Sequence, residues 1–309
     1  MARLGRAALE LDLDLPAADG EVLREEPLAR HTTWRIGGPA RFFCRVRTET
    51  GLSRVLAAAD GEKLPLAILG KGSNVLAADE GFPGAVLHLE GEFLEVAIEG
   101  ERLAAGGGAM LGGVCAQALR AGLSGLEALS GIPSSIGGAV RINAGAYGGE
   151  IFDVLESVRL VSRRGDRREA KASEIAHGYR RTALCESGEI VARATMLLRR
   201  APREQIETRT RAVSDKRRGA LPSEPNAGSV FKNPPGDFAG RLIEACGLKG
   251  ETSGGAAISE RHANVIINRG GARAADVMAL MRRMRDAVRE KFGITLSPEV
   301  EMLGAKWDP

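Results

Sequence analysis

Forty of the 309 residues are glycine, and many are gathered into two stretches that leave the chain few options. "LSGIPSSIGGAVRINAGAYGGE" (129–150) mixes glycine with serine and asparagine and carries little charge. A loop so poor in side chains cannot hold itself together by burial. It makes sense where backbone amides wrap a large ligand, such as a diphosphate-bearing cofactor. Ile132, Ile136, Val140 and Ile142 within it argue for a packed loop over a slack connection. The second stretch, "LGKGSN" (69–74), puts Gly70 and Gly72 directly after an apolar run, followed by Ser73 and Asn74 as side-chain donors. Glycine lets N–H groups turn toward an anion and approach it closely. The shorter stretch has neither P-loop spacing nor a GxGxxG that opens a helix, and by itself a tight turn is its default reading.

The rest of the composition narrows the class. At 44% hydrophobic and 27% charged, the chain has the makeup of a soluble protein with real cores. Its 43 basic and 40 acidic residues leave a net charge of +3, so no nucleic-acid footprint is expected. Cys44, Cys115, Cys185 and Cys246 lie far apart, without CxxC spacing or neighbouring histidines. They read as buried thiols in a reducing compartment, with no metal site. No apolar run approaches the ~18 residues of a membrane span, and the first twenty residues lack a secretory pattern. A cytoplasmic protein without membrane partners is expected.

Residues 1–20 read as a loosely docked lead-in and 21–83 as a small α/β unit. In that unit "ARFFCRV" (40–46) and "LPLAIL" (64–69) are strands and "GLSRVLAAAD" (51–60) is a helix. Residues 84–200 form an α+β unit with strands at 85–89, 93–100, 155–162 and 189–198; only 110–122 looks helical. The third unit, 201–309, opens with a charged helix bounded by Pro202 and Gly219. It also holds a helix over 273–292, whose Val277, Leu280, Met281, Met284, Val288 and Phe292 share one face.

Eight motifs then follow in order: "HTTWRIGGPA", "LGKGSN", "GIPSSIGGA…NAGAYGGE", "GYRRT", "GSVFKNP", "FAGRLIEACGLKG", "GGAAISERHANVIIN" and "SPEVEMLG". Each is modest alone. Together, over roughly residues 22–304, they resemble the UDP-N-acetylenolpyruvoylglucosamine reductase (MurB) family. The resemblance implies an α+β flavin fold of the vanillyl-alcohol-oxidase/p-cresol-methylhydroxylase class. Two subdomains (21–83 and 84–200) would hold FAD non-covalently, and the third would bind substrate. The short interval between Arg181 and Ser229 matches the family type that lacks an extra tyrosine-bearing loop. The implied activity is UDP-N-acetylmuramate dehydrogenase: NADPH-dependent reduction of UDP-N-acetylglucosamine-enolpyruvate to UDP-N-acetylmuramate, by a monomer.

By the same resemblance Arg180 and Glu299 stabilise charge at the substrate carboxylate, and Ser229 protonates the carbanion. Tyr179, Gly228, Asn233 and His262 contact substrate. Gly70, Lys71, Gly72, Ser73, Asn74, Gly131, Ile132, Pro133, Ser134, Ser135, Gly137, Gly138, Asn143 and Ala144 hold the flavin. Arginine suits a carboxylate because it pairs bidentately and stays charged. Glu299 must be protonated or hydrogen-bonded to assist an enolate, so a sheltered position is expected. Ser134 stands where the family usually has glycine; a positive φ there would strain it by about 1 kcal/mol or more. An oxidase of the same fold acting on an alcohol or lactone, or a non-catalytic nucleotide-binding module, are the competing readings.

Overall fold

The computed structural model describes residues 14–307. Most of the 1–20 lead-in thus lies outside the described residues. A four-stranded sheet comes first, in the order Gly20–Pro27, Pro39–Val46, Phe82–Leu89, Leu66–Ile68. Its first pair is antiparallel and the other two are parallel. Parallel neighbours need a crossover, which the helix Glu49–Gly61 provides. Thr48 caps that helix by accepting the Gly51 N–H at 3.0 Å, and Leu52, Val55 and Leu56 bury its inner face.

The second sheet is antiparallel, in the order Arg167–Lys171, Leu155–Val161, Ile190–Leu197, Arg102–Gly106, Val96–Glu99. The helices Leu111–Arg120 and Ile136–Arg141 share its core. A third sheet, Asn226–Ser229, Val265–Asn268, Ala256–Ile258 and Thr252–Ser253, packs with the helices Ala239–Ala245 and Ala274–Phe292. The last strand, Glu301–Leu303, returns to pair in parallel with Val75–Ala77 beside the shorter glycine stretch. Among the described residues no helix is long and apolar enough to cross a membrane.

Several elements differ from the sequence expectation. The 93–100 segment begins as a 3-10 turn, Gly91–Leu94, and only Val96–Glu99 is strand. The 64–69 strand shrinks to Leu66–Ile68. Gly219 lies inside the charged helix, which runs Arg203–Ala220. Helices also form at Ile136–Arg141, within the long glycine stretch, and at Leu184–Ser187. Ser135 explains the first, because its hydroxyl accepts the Gly138 N–H at 3.2 Å and caps a sequence with little propensity of its own. In the 274–292 helix the five inner residues are buried and Phe292 is half-buried. Cys44 and Cys115 are buried, with desolvation raising each thiol to about 12; Cys185 and Cys246 are partly exposed.

Trp34 joins the first sheet's loop to the third unit. It is fully buried in the third core with Phe231, Leu242 and Val277. Its indole N–H donates to the Ile266 carbonyl at 2.7 Å, and the Asn268 amide donates to the Trp34 carbonyl at 2.9 Å. Trp34→Phe strands the Ile266 carbonyl and should cost about 1–3 kcal/mol. Urea unfolding should show a lower midpoint for this variant; an unmoved midpoint would mean that the indole bond adds nothing.

Candidate active site

Three backbone segments form the walls of a cleft of ≈1230 Å³: residues 70–75, 107–110 and 134–138. Gly70, Lys71, Gly72, Ser73, Asn74, Ser134, Ser135, Gly137 and Gly138 all line it. The Ser73 hydroxyl donates to the Pro133 carbonyl and so ties the two glycine stretches together. Gly131, Ile132 and Pro133 lie outside the lining, and Asn143 and Ala144 are buried behind it. Ser134 is not among the residues with positive φ, so it carries no left-handed strain, and its hydroxyl donates to the Ser135 carbonyl at 2.9 Å.

Sequence reasoning missed part of this cleft. Gly107 and Gly108 supply a third wall, although "AAGGGAM" was legible as a glycine run. Thr32, Thr33 and Arg35 also line it, from the "HTTWRIGG" motif. Arg35, Lys71, Arg141 and Arg163 line it among carboxylates such as Glu90, Glu189 and Glu301, the last paired with Arg141. A long cleft with backbone walls and cationic side chains has the size and chemistry to take a dinucleotide such as FAD.

A smaller cavity of ≈250 Å³ shares Asn74, Ile142, Cys185 and Glu301 with the cleft and reaches Arg180, Lys232 and Glu299. Arg180 sits at the tip of a two-residue turn between His177–Gly178 and Arg181–Thr182, with φ +55°. Its Nε donates to Glu299 Oε1 at 2.8 Å and its Nη2 to the Gly145 carbonyl at 2.5 Å. The neighbouring Arg181 turns outward and pairs with Glu186, both about two-thirds exposed. Glu299 is 16% exposed in its side chain. Burial raises its pKa, against the opposing pull of Arg180 and Lys232, so desolvation outweighs the ion pair.

The Glu299 backbone fixes this group against two other segments. Its N–H donates to the Val230 carbonyl at 2.9 Å, next to Ser229, and its carbonyl accepts from the Asn74 amide at 3.1 Å. Lys232 donates its N–H to Ser297 at 2.9 Å and its Nζ to the Arg180 carbonyl at 3.4 Å. Ser229 ends the strand Asn226–Ser229, opposite Val265 and directly after Gly228, which has φ +72°. Tyr179 is 49% exposed beneath the Arg180 guanidinium.

Two expected substrate contacts have protein partners. Asn233 accepts the Ala239 N–H at 3.0 Å and so caps the helix Ala239–Ala245. His262 accepts the Asn264 N–H at 3.2 Å through Nδ1, and burial lowers its pKa. Arg217 was unmarked in the charged helix. Burial, assisted by the nearby Arg180 charge, lowers its pKa, while Tyr147 acts the other way.

Residues 40–171 match the family described as "FAD binding domain". Residues 221–303 match "UDP-N-acetylenolpyruvoylglucosamine reductase, C-terminal domain". The chain is 46% identical to UDP-N-acetylenolpyruvoylglucosamine reductase 2 of Symbiobacterium thermophilum, covering 94% of this chain and 95% of that one. It is 45% identical to the reductase of Heliobacterium modesticaldum, with 92% and 91% covered. The crystal structure of the Thermus caldophilus reductase superposes with a TM-score of 0.80 at 41% identity, covering 92% of this chain and 98% of that one. With that similarity over nearly its whole length, the chain belongs to the UDP-N-acetylenolpyruvoylglucosamine reductase family.

Proposed function

We propose that the chain reduces UDP-N-acetylglucosamine-enolpyruvate to UDP-N-acetylmuramate with NADPH and FAD, a step of peptidoglycan precursor synthesis. One observation carries the reading: the sheltered Arg180–Glu299 pair lies beside the Ser229 strand and is joined to the glycine-walled cleft through Asn74. In this reading residues 21–83 and 84–200 hold the cofactor, and 201–309 present the substrate. FAD, when bound, supplies hydride transfer between NADPH and the enolpyruvyl group.

The remaining work falls to side chains. Hydride addition at the methylene leaves negative charge on the adjacent carbon and its carboxylate. In this reading Arg180 holds that carboxylate, a role supported by the orientation of its Nε and Nη2 by Glu299 and Gly145. Glu299 assists in its neutral form, as a hydrogen-bond donor to the developing enolate; ionised, it would repel it. An incoming substrate carboxylate is a second like charge and pushes its pKa the same way as burial. Ser229 supplies the proton to carbon. A hydroxyl is a weak acid toward water but adequate toward a strongly basic carbanion held against it.

The two half-reactions separate these roles. Ser229→Ala should leave NADPH-driven bleaching of the flavin near its original rate. Reoxidation of reduced flavin by UDP-N-acetylglucosamine-enolpyruvate should slow by ~10²–10⁴. Stopped-flow absorbance checks both, and equal slowing of the two halves would make Ser229 a shaping residue only. Glu299 gives a pH signature. Its raised pKa keeps the neutral acid present above the usual carboxylate range, and that form is lost as pH rises through the raised value. The substrate half-reaction of the wild type should therefore fall along an alkaline limb. Glu299→Gln should flatten that limb, and a limb that survives in the variant assigns it to another group.

A further inference from the structure

The side chain of Asn143 faces away from the cleft and toward the hairpin that carries Arg180. It is fully buried, with φ +48°. Its amide nitrogen donates to the Glu150 carboxylate at 2.6 Å and to the Gly178 carbonyl at 3.2 Å, and its oxygen accepts the Phe152 N–H at 3.4 Å. Both amide protons are thus committed inside the protein, and no donor is left for a cofactor. Gly178 lies two residues before Arg180.

Two further ties join the same pair of segments. The Thr182 hydroxyl donates to the Arg141 carbonyl at 2.6 Å, and Arg180 itself donates to Gly145. The hairpin has only two residue pairs, His177 with Thr182 and Gly178 with Arg181. Such a short hairpin has no stability of its own, so its shape is inherited from what grips it. Arg180 also needs support, because a left-handed φ is unfavourable for arginine and persists only when its surroundings impose it.

We infer that Asn143 is a positioning residue: it fixes the Arg180 hairpin to the tail of the glycine stretch whose head, Ser135 to Gly138, lines the cleft. Asparagine suits the post because it tolerates left-handed backbone and offers two donors from one short side chain. Aspartate would lose those donors and face the Glu150 carboxylate. The role rests on the functional reading above for its kinetic consequences, but its structural content does not.

Asn143→Gly tests it, since glycine accepts φ +48° and removes only the side-chain bonds. In the holoenzyme, phenylglyoxal modification of Arg180, followed by peptide mass spectrometry, should speed up severalfold while FAD affinity holds within about twofold to threefold of the wild type. Reoxidation by the enolpyruvyl substrate should slow by about 10–100-fold, with NADPH-driven reduction little changed. Combined with Arg180→Lys, the variant should be no slower than Arg180→Lys alone, because the two act in series. Unchanged labelling, multiplicative losses in the double variant, or a loss confined to FAD binding would each overturn the assignment. If Asn143→Gly does not fold, Asn143→Asp with Glu150→Gln keeps a 143–150 bond and replaces the tie to Gly178 by a repulsive oxygen–oxygen contact. It should give the same labelling result. A wild-type enzyme inactive on the enolpyruvyl substrate would instead sink the functional reading, with the labelling still deciding the role of Asn143.

Discussion

Behind the cleft, backbone segments approach so closely that no side chain fits between them. A Cβ on Gly107 would overlap the Val191 carbonyl oxygen, and one on Gly72 would overlap that of His31. The Gly137 N–H donates to the Gly107 carbonyl at 2.7 Å, closing the third wall onto the second. This contact is made by main chain alone, which is why the walls can present amides and small hydroxyls to a ligand. A larger residue at Gly107 would push that segment off the neighbouring strand at Val191, and one at Gly137 would press on the Gly107 carbonyl that the loop hydrogen-bonds. The position of the helix Ile136–Arg141, and of everything hung from its end, follows from that contact.

What hangs there is the chemistry. The chain leaves the helix at Arg141, whose carbonyl takes the Thr182 hydroxyl and whose guanidinium pairs with Glu301 on the returning C-terminal strand. Gly145, four residues on, accepts from Arg180. The cleft wall and the carbonyl that grips Arg180 are therefore two ends of one segment, and the third unit is stitched to the wall through Asn74 and to Arg180 through Glu299. A shift at the wall reaches Arg180 through few covalent bonds and several hydrogen bonds. That short path matters because reacting groups misplaced by about 1 Å lose much of their rate.

Legibility in the sequence followed the strength of local signals. The helix Ala274–Phe292 was readable because its apolar face repeats over five turns and Gly293 ends it at φ +68°. The strand Gly20–Pro27 was not, since "GEVLREEP" puts its charges on the edge of the sheet and shows no clean apolar alternation. The third sheet's strands have two to four residues each, too few for a period to show. Within the site the "GYRRT" motif pointed to Arg180; both arginines border the small cavity, but only Arg180 is sheltered and paired with Glu299, while Arg181 is largely exposed and paired with Glu186. The role of Asn143 was hidden because its partners, Glu150 and Gly178, meet only after the loop folds back. The charged helix reads as a solvated face with some ligand-facing exceptions, and nothing local marks Arg217 as the partly buried one beside Gly131, which is a tertiary fact.

The proposed roles also account for the charge balance around the small cavity. Arg180 and Lys232 both act on Glu299, and Arg217 lies near enough to feel the Arg180 charge. Cations held together and partly out of water repel one another and lose hydration, so the cluster costs stability on its own. Glu299 offsets this only in part, because burial favours its neutral form. An anionic ligand entering the cavity relieves the repulsion and makes up the missing hydrogen bonds. It also makes the neutral form of Glu299 easier to hold. In the proposed reaction, the substrate carboxylate held by Arg180 thereby favours the neutral form of Glu299, the form that would donate to the enolate. In that proposal binding and activation are two consequences of one electrostatic imbalance.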